Sequence, residues 1–227
     1  MVSNWNEVLT GEMLVFGLLG KAFYDYPEKA WLQSLIESDV FSEAPFAGED
    51  KDVVAALGEL QAWSNENRAG LSNEAFEAMG IDYTRLFIGP GTVLTPPWES
   101  VFFSEERLTF QESTLHVREW YRRFGLEMKK LHNEPDDHIG LELEFLAHLA
   151  KLGVAATQGT EQSPTEVLDA QRAFLTEHVL TWAPVWCGQV YDKARSKFYR
   201  GIALMTRGAL RHTAELLEVK IPEGKKK

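Results

Sequence analysis

Residues 133–149, NEPDDHIGLELEFLAHL, set the carboxylates of Glu134, Asp136, Asp137, Glu142 and Glu144 and the imidazoles of His138 and His148 among Ile, Leu and Phe. Three chemistries use such a set: metal ligation, acid/base catalysis by paired carboxylates, and reception of a ligand that is both basic and apolar. Zinc hydrolases place two histidines around a glutamate as H-E-x-x-H, and di-iron bundles repeat E-x-x-H on two helices. Neither spacing is present. His138/Glu142 and Glu144/His148 are i, i+4 pairs, which on helices mostly make simple side-chain contacts. At about 100° per residue Glu142 and Glu144 point to nearly opposite sides of a helix, so they do not flank one bond. The same count puts Asp137, Glu144 and His148 on one polar stripe and Ile139, Leu143, Leu146 and Ala150 on the buried side, with His138 and Glu142 on a mixed flank. Asp137 also suits a plain role as a helix-start charge.

The elements that must position these groups read as helices, with no convincing strand alternation. Asn4 with Glu7 forms a capping pattern for a helix running to about Tyr24, ahead of Pro27. Further helical patterns cover 28–38, 50–67, 73–88, 112–124, 136–152, 164–181, 184–195 and 197–218. Residues 92–110, rich in Pro and aromatics, are expected to form a long ordered loop, and 153–164 a short polar linker. The expectation is an all-α protein, a single-domain helical bundle of roughly eight to ten helices over 1–220, followed by a polar tail at 221–227.

The 227 residues carry 34 Asp plus Glu against 23 Lys plus Arg, a net charge of -11, which disfavours nucleic acid and anionic lipid and favours a basic partner. Cys187 is the lone cysteine, expected to be a buried, inert thiol, and the N-terminus has acidic Glu7 and Glu12 where an export signal would be basic. No run reaches the ~18 apolar residues needed to span a bilayer. A cytoplasmic location is expected.

Four separated segments in order, FYDYP (23–27), YTRLFIGPG (83–91), TPPWESVF (95–102) and NEPDDHIGLELEFL (133–146), resemble the TorD/DmsD/NarJ family of redox-enzyme maturation chaperones, and RLFIGP followed by PPWESVF resembles its DmsD side. In the last third, HVLTWAPVWCG departs from the family pattern around Thr181, Trp182 and Pro184. The resemblance implies a non-enzymatic helical chaperone. Such a protein would bind the twin-arginine signal peptide of a molybdopterin-containing oxidoreductase, assist cofactor insertion, and delay export until maturation. It implies no catalytic residue, metal or cofactor of its own, and a monomer, with a dimer as the alternative. Carried over residue by residue, the signal-peptide-binding positions are Tyr24, Tyr83, Trp98, Pro135, Asp137 and His138, with Tyr83 standing where the DmsD branch prefers a tryptophan.

The chemistry of the chain suits that partner. A basic leader with an apolar stretch needs carboxylates beside aromatic side chains, here the 134–144 acids with Trp98, Phe102 and Phe103. Its binding is expected to weaken with salt, and to weaken at low pH if His138 gains a proton near pH 6. The competing reading is a small helical metal-dependent hydrolase or metal-binding protein using His138, Glu142, Glu144 and His148.

Overall fold

Asn4 accepts the N–H of Glu7 through its side chain and opens α1 (Trp5–Tyr24). The computed structural model describes residues 4–126, 135–158 and 163–222, and Glu134 and most of the tail fall outside them. The chain then forms α2 (Lys29–Glu37), α3 (Lys51–Glu66), α4 (Asn73–Tyr83), α5 (Glu99–Phe103), α6 (Glu112–Arg123), α7 (Ile139–Thr157), α8 (Pro164–Phe174), α9 (Leu180–Lys193) and α10 (Lys197–Leu216). The described residues contain no strand, and the fold is all-α as expected.

Local chemistry explains most starts. Asp50 accepts the N–H groups of Asp52 and Val53, Ser72 accepts that of Ala75, and Ser163 with Glu166 makes a full capping box before Pro164. Two turns are π-helical, Thr84–Ile88 and Leu175–Val179, and no periodicity in the sequence announces them. The second joins α8 to α9, so the expected break before Pro184 does not occur and the proline lies inside α9. The expected loop over 92–110 is likewise interrupted by α5.

Two compact units divide the chain. The first gathers residues 1–24, 97–183 and 213–227, and the second gathers 25–96 and 184–212. Each is built from separated stretches, and the polar segment 153–164 marks no boundary, because both its flanks belong to the first unit.

In the first unit α1 and α7 cross at glycines. A Cβ on Gly140 would lie 2.6 Å from Tyr24 Cβ and 2.8 Å from the Gly20 carbonyl oxygen, so only hydrogen fits there. Phe145, Phe174 and Tyr121 pack edge and tilted beside this crossing, with Phe145 and Phe174 centroids 4.7 Å apart. In the second unit Trp63 and Phe198 pack tilted with centroids 4.9 Å apart, and Asp50 and Asp52 take paired hydrogen bonds from Arg207 and Arg211 at 2.7–3.0 Å.

Candidate functional site

The segment that carries the acids does not enter α7 at Asp137. His138 is the N-cap, with extended φ and ψ, and its Nδ1 accepts the Gly140 N–H at 3.0 Å. The wheel count that began at residue 137 therefore does not hold ahead of the cap, and Asp137 leaves the solvated stripe on which it was expected. It is fully buried: one carboxylate oxygen accepts the Ser100 N–H at 2.6 Å, the other accepts the Thr114 hydroxyl at 2.8 Å, and its carbonyl accepts the Glu99 N–H at 3.0 Å. Asp137 thus caps α5, a helix without a local capping side chain, from 37 residues away. A single antiparallel bridge, Trp98 with His138, ties the same two segments, and Ile139 donates to the Pro97 carbonyl at 2.8 Å.

The result is an aromatic cluster centred on His138. The Tyr24 ring stands edge-on to the imidazole with centroids 5.2 Å apart, and the Trp98 ring does so from another direction at 5.5 Å. His138 itself is 3% exposed, whereas Tyr24 and Trp98 are half-buried. Burial lowers the His138 pKa to about 3, so the expected charging near pH 6 does not take place in the folded protein. Pro135 and Asp136 are buried in the same stretch, Asp136 paired with Arg118 and its carbonyl accepting the Tyr121 hydroxyl at 3.1 Å.

Behind this cluster sits Glu142. Burial, then the charges of Glu99 and Asp137, push its pKa well above the ordinary carboxylate range, and Trp182 Nε1 donates to its Oε2 at 3.2 Å. Among the described residues Glu142 Oε1, Ser100 Oγ and Trp98 Nε1 are buried and lack a hydrogen-bond partner. The four residues of the metal-hydrolase reading are not assembled: His138 and Glu142 face inward, Glu144 is exposed, and His148 Nε2 lies 3.2 Å from the Phe124 carbonyl oxygen.

Five of the six expected binding residues, Tyr24, Trp98, Pro135, Asp137 and His138, lie in the first unit, and Tyr83 lies in the second. Tyr83 is 4% exposed and packs on Tyr26, Phe87 and Tyr199 at 5.5, 5.2 and 5.9 Å. Next to Tyr26 the second unit opens a groove of about 700 Å³ lined by Phe76, Ile81, Arg85, Pro90 and Leu94. Ser100, Thr114 and Trp182 were missed as partners of the acidic stretch. Ser100 was readable only as the residue two past Trp98 in PPWES, and Thr114 and Trp182 gave no local signal. Cys187 is buried as expected, which pushes its thiol up to about 12.

Fold and site together define an all-helical protein that presents half-buried aromatic faces over a capped polar interior. The chain belongs to the nitrate reductase delta subunit family, whose model matches residues 47–188. It is 29% identical to the Tat proofreading chaperone DmsD of Salmonella typhi over 194 residues, 84% of this chain and 82% of that protein. It is 28% identical to the chaperone protein TorD of Vibrio cholerae over 169 residues, 69% of this chain and 74% of that protein. A solved redox enzyme maturation protein from Archaeoglobus fulgidus aligns with a TM-score of 0.45 at 23% identity, covering 86% of this chain and 91% of that one. Among the described residues no helix is long and apolar enough to cross a membrane.

Proposed function

We propose that this chain is a cytoplasmic, non-enzymatic chaperone. It binds the twin-arginine signal peptide of a molybdopterin-containing oxidoreductase, keeps the apoenzyme ready for cofactor insertion, and delays its export. The observation that carries the reading is the similarity to a Tat proofreading chaperone over more than four-fifths of both chains. The site geometry supports it with a division of labour. Tyr24 and Trp98 offer half-buried faces suited to a guanidinium or an apolar side chain. Pro135, Asp137 and His138 hold those faces from beneath, since both Asp137 oxygens are already engaged by internal donors. Tyr83 contributes through the second unit, as part of the aromatic group that includes Tyr26 at its groove.

The test is calorimetric titration with the twin-arginine leader of a molybdoenzyme from the same cell and with a leader whose two arginines are replaced by glutamine. Tight binding of the first, lost with the second and weakened by salt, is the expected result, because a protein of net charge -11 meets a basic peptide. Trp98→Ala is expected to weaken binding about tenfold to a hundredfold, and Trp98→Phe less, while melting stays within a few degrees. Equal affinity for both leaders overturns the reading.

A further inference from the structure

A second cluster, also in the first unit, has a different chemistry. His116 projects from α6, and Glu177 and His178 are consecutive in the π turn between α8 and α9. One nitrogen of each histidine and a carboxylate oxygen of Glu177 lie within 4.8 Å of one another. His178 is 2% exposed and its Nδ1 lies 2.8 Å from Oε2 of Glu99, which is 4% exposed. A carboxylate accepts, so that ring nitrogen carries the proton and Nε2 of the neutral ring is left with a lone pair. This Nε2 faces His116 Nδ1 at 3.0 Å.

We propose that His116, Glu177 and His178 form a binding site for a divalent transition-metal ion of the zinc class. Two imidazole nitrogens at bond lengths of about 2.0–2.1 Å on one tetrahedral ion stand about 3.3 Å apart, a few tenths more than the spacing here. Two imidazoles with one carboxylate suit zinc, nickel or copper and not the all-oxygen preference of magnesium or calcium. Two of the three ligands are oriented by a further hydrogen bond, as outer partners orient metal ligands generally: Glu99 on His178, and Trp120 Nε1 donating to Glu177 Oε2 at 3.0 Å. His116 and Glu177 are both exposed, so the ion has a route in and its fourth position opens to water or to a donor atom from a bound partner.

Zinc titration of tag-free, chelator-treated protein, followed by calorimetry and by the visible absorption of tetrahedral cobalt(II), tests the site. One equivalent of zinc and a tetrahedral cobalt spectrum are expected, both lost in His116→Ala, an exposed substitution that leaves the helical circular dichroism unchanged. Glu99→Gln keeps an acceptor for His178 but removes the charge, and it is expected to weaken zinc about tenfold to a hundredfold. No stoichiometric zinc, or full affinity in both His116→Ala and Glu177→Gln, overturns the assignment. In that case the two histidines share only a proton.

Discussion

The imidazole of His138 caps α7 through the Gly140 N–H, with Nδ1 as acceptor and the proton therefore on Nε2. A charged ring would lose that acceptor and would sit fully enclosed, which is why burial depresses its pKa to about 3.

The neutral His138 ties stability to pH. In the unfolded chain a histidine titrates near 6.5, so the folded form binds fewer protons below that pH. Its contribution is complete above about 6.5 and is lost as pH falls toward 3, about 2 kcal/mol already at pH 5. Urea unfolding between pH 7 and 4 is expected to show a steep acid limb that flattens in His138→Asn, whose amide caps a helix without titrating. Signal-peptide affinity is expected to show no step near pH 6 attributable to His138.

Glu12 works in the opposite direction. It is 1% exposed, accepts from Gln171 at 2.7 Å and Thr213 at 3.1 Å, and burial raises its pKa to about 7. The folded state holds this proton more tightly, so the contribution is complete below about 4.5 and is lost as pH rises to 7, on the order of 3 kcal/mol. Glu12→Gln is expected to be the more stable form at pH 8 and nearly equal to the parent at pH 5, as read from denaturant midpoints.

Asp137→Ala is expected to cost about 2–4 kcal/mol of stability, because it strands the buried Ser100 N–H and the Thr114 hydroxyl together. Asp137→Asn, which still accepts from Ser100 and can donate to the Thr114 oxygen, is expected to recover most of that loss. If both variants melt like the parent while leader binding collapses, Asp137 meets the ligand directly and the capping role is secondary.

At Gly140 helix propensity alone favours alanine by about 0.5–1 kcal/mol. Contacts of 2.6–2.8 Å at the α1 crossing argue the other way, with a packing cost of about 1–3 kcal/mol. Gly140→Ala is therefore expected to be destabilised in thermal melts, and to weaken leader binding as well, since the displaced neighbour is Tyr24.

Helix positions were legible because their caps are local: Asn4, Asp50, Ser72 and Ser163 each sit within three residues of the N–H they accept. Periodicity put Glu144 on the polar stripe, where it is exposed, but left Glu142 on a mixed flank, and the fold buries it. What sequence reasoning could not reach was the inward turn of Asp137 and His138. Their fate depends on Ser100, Thr114 and Trp98, 23 to 40 positions away, and such pairings leave no short-range pattern. Of the six residues the family resemblance named, the fold packs the rings of Tyr24 and Trp98 on His138, while the chemistry of the segment suggested an open acidic face where there is a closed polar interior.

Because the first unit draws on residues 4–24 and again on residues from 213 onward, its assembly follows the order of synthesis in an unusual way. Glu12 is made long before its hydroxyl partner Thr213, which comes 201 residues later. Until that stretch emerges, α1 and α7 can meet, but Glu12 on α1 has only Gln171 on α8. Contacts of such span are slow to close, and a partly made chain exposes the surfaces they would cover. A nascent copy is thus itself an immature polypeptide awaiting the residues from 213 onward, and a chain cut before residue 213 is expected to be held in that state and removed by proteolysis.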